Sequence, residues 1–140
     1  MLSAQLKKLF ADAEGARPNA YSKYSGVSVG AALLFDNGKS ITGVNVENAS
    51  YGLTICAERS ALAAAVSLFG SKIRVVAVAV SAKKAGFRVD SCPCGACRQV
   101  LFEFAKSSCE VIYTKGRTRK VKPLFELLPD PFILRALDDK

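Results

Sequence analysis

The chain is 140 residues long, half of its residues are hydrophobic, and its net charge is +8 at pH 7. These values predict one domain over residues 1–140 with its own hydrophobic core, and they exclude an intrinsically disordered chain. The sequence contains no histidine, which excludes Ser-His-Asp and Cys-His catalysis. A transition-metal site must therefore use cysteine or carboxylate ligands, and a general base must be Glu, Asp, Lys or Tyr.

The expected compartment follows from the N-terminus and the cysteines. Residues 1–17 lack the long apolar segment of a secretory signal, and no apolar run is long enough to span a bilayer. The cysteines number five, and an odd number argues against a closed disulfide framework. We therefore expect a cytoplasmic protein with no membrane partner, whose thiols stay reduced.

The first half of the chain predicts a helix, a β-hairpin and a second helix. Apolar residues recur at helical spacing near the N-terminus, at Leu2, Leu6, Leu9, Phe10 and Ala13. GVSVGAALLFDNGKSITGVNVEN, residues 26–48, predicts two strands joined at Asp36-Asn37-Gly38, because Asn-Gly is the strongest short hairpin signal. CAERSALAAAVSLFG, residues 56–70, predicts a helix that Gly70 ends. This helix is apolar almost all round, so the sheet, a neighbouring element or another subunit must bury several of its sides.

The second half predicts a buried strand, a helix, a second hairpin and a short helix. RVVAVAVSA, residues 74–82, is an unbroken β-branched run typical of a central strand covered on both faces. CGACRQVLFEFAKS, residues 94–107, predicts a helix. CEVIYTK and TRKVKP, residues 109–115 and 118–123, predict two strands that pair antiparallel because their turn is short. With a last helical piece at 123–129, the order indicates an α/β domain with a mixed sheet flanked by helices.

The segment SCPCGACRQ, residues 91–99, places three cysteines within six positions, at Cys92, Cys94 and Cys97. Cys56 opens one predicted helix, and Cys94 and Cys97 lie at the start of the next, where free amides favour thiolates. Both helices follow strand ends of one sheet, so the three sulfurs can converge and bind zinc with a fourth position left open. Glu58 follows Cys56 by two residues and is the nearest candidate for acid–base work.

Two other interpretations of these cysteines stay open at this point. A CxxC pair also occurs in redox proteins, although it comes late in this chain for a thioredoxin-like fold. A closed structural zinc site would need a fourth ligand, which Cys92 or Cys109 could supply. The simpler expectation for Cys92 and Cys109 is that each is a small buried apolar residue.

The segments CAERSA, residues 56–61, and PCGACRQV, residues 93–100, together resemble the zinc-dependent cytidine deaminases of the three-cysteine type. The wider deaminase signature is H-x-E with P-C-x-x-C, in which cysteine can replace histidine as the first ligand. Three further segments resemble the family in the same order: YSKYSGVSVGAAL, NVENASYG and ELLP. The resemblance covers roughly residues 20 to 132. It implies a three-layer α-β-α fold with a five-stranded mixed sheet whose last two strands are antiparallel.

The resemblance also implies a metal centre and the residues that serve it. Cys56, Cys94 and Cys97 would hold one zinc ion per subunit, with water as the fourth ligand. Glu58 would move protons between that water, the base and the leaving amine. Arg59 would donate hydrogen bonds to the ligand sulfurs and offset the excess negative charge of three thiolates.

Six residues are implied to bind the substrate, of which Tyr51 and Phe132 are expected to act across a subunit interface. Asn45 and Glu47 would bind a ribose hydroxyl, although from the residues alone they more simply end a strand. The backbone amide of Ala57 would meet the carbonyl of the base. Val27 stands where relatives usually have an aromatic residue that covers the base, so this chain lacks the stacking ring on that side.

Relatives of this length are commonly homotetramers, which implies active sites at subunit interfaces. Phe132 resembles a residue that reaches into a neighbouring subunit's pocket, and Tyr51 is expected to cross between subunits as well. The alanine-rich helix of residues 56–69 would lie near the centre of the assembly, which agrees with its being apolar on nearly all sides.

Three functions remain as hypotheses. The first is deamination of free cytidine and 2′-deoxycytidine in pyrimidine salvage, with a related cytosine nucleoside such as that of the blasticidin-type deaminases ranked lower. The second is a polynucleotide cytosine or adenine deaminase, and the third is a non-enzymatic zinc module that binds nucleic acid. KGRTRKVK, residues 115–122, favours nucleic acid, but lysines also protect an exposed sheet edge. The antiparallel final strands favour the free-nucleoside enzyme.

Overall fold

The computed structural model describes residues 2–134. In chain order the elements are helix α1 (Ala4–Ala16), strands β1 (Val27–Phe35) and β2 (Ser40–Val44), helix α2 (Ala57–Phe69), strands β3 (Val75–Lys84) and β4 (Phe87–Arg88), helix α3 (Gly95–Phe104), strands β5 (Ala105–Lys115) and β6 (Thr118–Pro123), and the single-turn helix α4 (Leu124–Leu127). Within the described range, no helix has the length and hydropathy needed to cross a bilayer.

One mixed sheet organises the molecule, with its long strands in the order β2-β1-β3-β5-β6. β1 runs antiparallel to β2 and β3, β3 runs parallel to β5, and β5 runs antiparallel to β6. The predicted α/β fold, with an antiparallel final pair, is therefore confirmed. The two-residue strand β4 extends the sheet beside the end of β3, and it is too short to leave a periodic signal in the sequence.

Helices cover both faces of the sheet, which gives three layers. On one face, α1 packs Leu6, Leu9 and Phe10 against small or apolar strand residues: Ala32, Ala77, Ala79 and Ile112. On the other face, α2 and α3 cover the strand residues of opposite parity: Leu33, Val78, Val80, Val111 and Tyr113. Because side chains alternate across a strand, the β-branched run of β3 is buried from both sides, as predicted for a central strand.

The ends of the helices match the sequence signals, with one exception. Cys56 caps the N-terminus of α2, and Gly70 ends it with a φ of 88°. The predicted helix over residues 94–107 is wrong in its last turn, since α3 ends at Phe104 and β5 begins at Ala105. Ala105 pairs with Val75 of β3, so strand pairing overrides the helical preference of this short stretch.

The first hairpin forms where predicted, but with a longer loop. β1 ends at Phe35 and β2 begins at Ser40, and Gly38 has a φ of 81°. The side chain of Asn37 accepts a hydrogen bond from the Lys39 amide at 2.9 Å. The Asn-Gly pair therefore works as an Asx turn with one left-handed glycine rather than as a two-residue turn.

Candidate active site

Two helix N-termini meet at one end of the sheet and bring three cysteines together. Cys56 is the N-cap of α2, Cys94 is the N-cap of α3, and neither makes a side-chain capping bond. The sulfurs of Cys56, Cys94 and Cys97 all lie within 4.8 Å of one another. The first amides of both helices lack intrahelical partners, so this end of the sheet carries partial positive charge.

A close approach of α2 to β2 sets the position of Cys56. A Cβ atom at Gly43 would lie 2.5 Å from both the carbonyl oxygen of Ala57 and the amide nitrogen of Ala61. Only glycine leaves room for this approach. The connecting segment is tied down as well, because Val46 bridges to both Tyr21 and Ile55.

Ser91 sets the position of the second cysteine segment. Its hydroxyl donates to the carbonyl oxygen of Val80 at 2.7 Å and accepts from the amide of Thr114 at 2.9 Å. Ser91 therefore bridges β3 and β5 where these parallel strands separate, directly before Cys92 and Cys94. Sequence reasoning missed this residue, because a single serine before a cysteine motif carries no signal of its own.

Glu58 lines a cleft of about 310 Å³ that Cys56 and Cys94 also line, whereas the buried Cys97 lies outside its lining. The volume falls in the range of about 300–1,000 Å³ typical of small-molecule sites. The lining includes seven of the predicted site residues: Val27, Asn45, Glu47, Cys56, Ala57, Glu58 and Cys94. Glu58 is 4% exposed, and burial raises the pKa of its carboxyl above the usual range.

The thiols of Cys56 and Cys97 have pKa values that are shifted in opposite directions. Arg59 donates from Nη2 to the sulfur of Cys56 at 3.3 Å. A hydrogen bond from Cys97, together with Arg59, lowers the pKa of Cys56 to about 5. The hydrogen bond to Cys56, together with burial, raises the pKa of Cys97. The surroundings therefore favour the thiolate at Cys56 and the protonated thiol at Cys97.

The geometry of the cluster suits zinc. Zinc–sulfur bonds of about 2.3 Å in a tetrahedral site put the sulfurs about 3.8 Å apart. The sulfurs of Cys56 and Cys94 lie 4.0 Å apart. Sulfur is also a ligand that zinc prefers, and three such ligands would leave a fourth coordination position for water.

Asn45 and Glu47 follow β2 and are both buried. The side-chain carboxamide of Asn45 donates from Nδ2 to the Val27 carbonyl and accepts at Oδ1 from the Val29 backbone amide, both at 2.9 Å. Glu47 accepts from the amides of Tyr24 and Ser25 at 3.0 Å each, and from the Ser25 hydroxyl. These bonds fix both side chains at the cleft. They leave Asn45 with one free donor and one free acceptor site, and Glu47 with one free acceptor site.

Tyr51 and Phe132 do not line the cleft of their own chain. Tyr51 is 76% exposed and meets the ring of Tyr24 edge-on, with centroids 6.0 Å apart. Phe132 is 69% exposed, and both of its main-chain polar groups are hydrogen bonded to Gln99. Tyr51 borders an adjoining depression together with Tyr24 and Glu47, so its ring lies beside the cleft without lining it.

The two remaining cysteines differ in their surroundings. Cys109 is 1% exposed within the core, and burial raises the pKa of its thiol to about 12, as suits a buried apolar residue. Cys92 is only half-buried, borders the cleft, and accepts a hydrogen bond from Arg98 Nη2 at 3.2 Å. The expectation that Cys92 is simply a small buried residue is therefore incomplete.

The basic segment of residues 115–122 spans the hairpin of β5 and β6, and β6 is an edge strand. Lys115 pairs with Asp90 at 3.2 Å, and Arg119 pairs with Glu14 at 3.0 Å. Arg119 also lies 4.2 Å from the centroid of the Phe10 ring. Lys115 and Arg119 therefore make contacts within their own chain, as expected if the basic residues protect an exposed sheet edge.

Comparisons with known proteins agree with this site. The family model of the cytidine and deoxycytidylate deaminase zinc-binding region matches residues 3–114. The cytidine deaminase of Halalkalibacterium halodurans is 41% identical over 133 residues, which cover 94% of this chain and 96% of that protein. A cytidine deaminase of Mycobacterium tuberculosis is 42% identical over 128 residues, covering 91% and 87% of the two chains. The crystal structure of cytidine deaminase from Burkholderia pseudomallei superposes with a TM-score of 0.79 at 42% identity, covering 94% and 100%. The chain therefore belongs to the cytidine deaminase family of hydrolases.

Proposed function

We propose that this enzyme hydrolyses cytidine and 2′-deoxycytidine to uridine and 2′-deoxyuridine with release of ammonia, as a step of pyrimidine salvage. The observation that carries the proposal is the convergence of Cys56, Cys94 and Cys97 within 4.8 Å, beside the buried carboxyl of Glu58. A metal site with one open position next to a proton-transfer group is what hydrolysis of an amine from a heterocycle requires.

The proposed cofactor is one zinc ion per subunit on Cys56, Cys94 and Cys97. Bound there, zinc supplies the Lewis acidity that makes a water reactive near neutral pH. Arg59, 3.3 Å from the Cys56 sulfur, offsets the excess negative charge of the thiolates and holds Cys56 in its ligating position.

Glu58 moves the protons of the reaction. It takes one proton from the attacking water and delivers it to the cytosine ring nitrogen. It then takes the second proton, from the hydroxyl added at C4, and delivers it to the amine, which leaves C4 as ammonia. Its raised pKa suits a group that must both accept and release a proton near neutral pH. Burial also keeps bulk water away from the transferred protons.

The remaining cleft residues orient the nucleoside. Asn45 and Glu47 are anchored to the main chain of β1 and its entry segment, so they present fixed acceptors and donors to a ribose hydroxyl. The first amide of α2, at Ala57, is free of helical partners and binds the base carbonyl. Val27 borders the base without supplying a ring for stacking.

We also propose a cytoplasmic homotetramer. Reduced cysteines as ligands suit a reducing compartment. The outward side of α2 exposes Ala63, Ala64 and Leu68, which is a small apolar surface suited to close packing against another helix. The exposed rings of Tyr51 and Phe132 would then contact the cleft of a neighbouring subunit.

The proposal is tested with purified protein by metal analysis and by the loss of cytidine absorbance. We expect stoichiometric zinc and turnover of both nucleosides, with no deamination of cytosine-containing RNA. Cys94→Ser should lose zinc and activity together, whereas Cys109→Ala, remote from the cluster, should keep both. Full zinc occupancy in Cys94→Ser would exclude Cys94 as a ligand, and turnover of RNA alone would favour a polynucleotide deaminase.

A further inference from the structure

The C-terminal segment of residues 127–132 is held against α3 by two consecutive side chains, Arg98 and Gln99. Arg98 donates from Nη1 to the carbonyl oxygen of Leu127 at 2.9 Å. The same guanidinium donates from Nε to the Pro93 carbonyl at 2.7 Å and from Nη2 to the Cys92 sulfur at 3.2 Å. A single planar group thus joins the cysteine segment to the end of α4.

Gln99 holds the segment at its other end. Its Nε2 donates to the carbonyl oxygen of Phe132 at 2.9 Å, and its Oε1 accepts from the Phe132 amide at 2.9 Å. The main-chain N–H and C=O of Phe132 are therefore both hydrogen bonded to the one carboxamide of Gln99, as they would be to a neighbouring strand. Residues 131–134 form no helix or strand, so this pair of bonds, rather than secondary structure, fixes the position of Phe132.

The side chain of Phe132 gains little from this arrangement within its own chain. Its ring is 69% exposed, and the next residues, Ile133 and Leu134, are also exposed. Ordering the backbone costs conformational entropy, and a ring that stays in solvent gives no apolar burial to offset that cost. Such an arrangement makes sense when the ring is presented to a second surface.

We propose that Arg98 and Gln99 are positioning residues, which fix the C-terminal segment to the helix of the cysteine motif and so present the Phe132 ring to another subunit's cleft. We call the hydrogen bonds of Arg98 and Gln99 to Leu127 and Phe132 the clamp, and they are observed in the structure. The contact of the Phe132 ring with another subunit's cleft rests on the proposed function. Arg98 and Gln99 contact neither the substrate nor the metal in this scheme. They act through Phe132 and through the segment that carries Cys92 and Pro93.

The absence of tryptophan from the sequence provides a direct probe. Phe132→Trp introduces a single indole, whose fast depolarisation in time-resolved fluorescence anisotropy reports local motion of the segment. In this background, Gln99→Met keeps the side-chain length but removes both hydrogen bonds. We expect the amplitude of the fast component to rise at least twofold, with a smaller rise for Arg98→Lys. Gln5→Met, on the exposed side of α1, is the matched control and should change nothing.

Methionine keeps the packing of Gln99 and removes only its hydrogen bonds. An unchanged fast component in Gln99→Met would therefore show that these bonds do not hold the segment, and it would overturn the clamp. An equal rise in Gln5→Met would overturn it too. Far-UV circular dichroism and the melting temperature verify that each variant is folded. The anisotropy measurement needs neither substrate nor turnover, so it stands even if the chain fails to deaminate cytidine.

The use of the ring is tested separately by kinetics with Phe132 intact. If Phe132 serves a neighbouring cleft, Gln99→Met should raise the KM for cytidine about tenfold while kcat stays within about twofold. An unchanged KM, in a variant whose segment is demonstrably mobile, would overturn the inter-subunit role and leave the clamp in place.

Discussion

Glu58 and Glu47 line the same cleft, yet their surroundings move their pKa values in opposite directions. Burial raises the pKa of Glu58, whereas the hydrogen bond from Ser25 lowers the pKa of Glu47. Carboxyl groups whose pKa values are pushed apart can take different roles in one site. We assign proton transfer to Glu58 and permanent acceptance of hydrogen bonds to Glu47.

The first prediction at this scale concerns Glu58. Glu58→Ala should lower kcat by several orders of magnitude, since proton transfer by a positioned group is worth on the order of a hundredfold to ten-thousandfold. Zinc content and melting temperature should stay close to those of the wild type, because Glu58 is not one of the proposed ligands. Glu58→Gln, of equal size, should be similarly inactive. Normal deamination by either variant would remove Glu58 from the mechanism.

The second prediction concerns the pH dependence of stability through Ser25. The folded-state pKa of Glu47 lies below its value in the unfolded chain. The hydrogen bonds therefore stabilise the fold above a pH of about 4.3, and this contribution is lost as pH falls through the folded-state pKa. Ser25→Ala should lower the free energy of unfolding by about 1 kcal/mol at pH 7, and by less at pH 3.

Urea denaturation at both pH values measures this difference. Ser22→Ala is the matched control, because the Ser22 hydroxyl is not among the donors to Glu47. A stability loss in Ser25→Ala that is the same at both pH values would show that the bond to Glu47 is not its cause.

At the scale of elements, two helices pack closely against their strands because the strand residue at each contact is a glycine. A Cβ at Gly30 would lie 3.0 Å from the amide nitrogen of Arg17 and closer still to the carbonyl of Ala13, and one at Gly43 would meet the backbone of α2. Each helix therefore lies directly on the sheet backbone. For α2 this contact also positions Cys56 and Glu58, which begin the helix.

The third prediction follows from the contact at Gly43. Gly43→Ala forces α2 away from β2, and overpacking of this kind costs on the order of 1–3 kcal/mol. Because α2 carries Cys56, the variant should also release zinc faster to a chelator. Gly15→Ala is the control with the opposite expected sign: nothing lies within 4 Å of its Cβ position, and alanine stabilises a helix by roughly 0.5–1 kcal/mol. Equal stability of Gly43→Ala and wild type would contradict the close approach.

At the scale of the whole molecule, the cysteine cluster joins segments that are distant in sequence. Cys56 begins α2 and Cys94 begins α3, and the central strand β3 lies between these helices in the chain. A metal ion on the three sulfurs therefore links both helices on one face of the sheet. A ligand that binds only the folded state stabilises it in proportion to the logarithm of its free concentration.

The fourth prediction is that zinc removal destabilises the whole domain. At free zinc about a thousand times above the dissociation constant, the contribution is about 4 kcal/mol. Calorimetry with and without a chelator should show a large fall in melting temperature. Cys94→Ser should melt near the chelated wild type and show no further response to the chelator. An identical melting temperature for zinc-loaded and chelated wild type would contradict a metal that joins the helices.

The order and type of the elements were predictable because each depends on residues close together in sequence. The Asn-Gly pair after β1, the β-branched run of β3 and the glycine that ends α2 are local patterns. The last turn of the predicted third helix failed because Ala105 pairs with Val75, a partner that no local pattern reveals. Ser91, Arg98 and Gln99 were missed for the same reason, since each bonds to main-chain groups in elements distant in sequence.

The sequence by itself determined the chemistry available to this protein: no histidine, a cysteine before each of two helices, and a glutamate beside one of them. Only the tertiary structure decided that three sulfurs lie within 4.8 Å, that Glu58 is buried, and that Phe132 is anchored but exposed. The physical reason is that residue types and helix starts are set locally. The distance between two helix N-termini is instead set by the order and register of the strands that carry them.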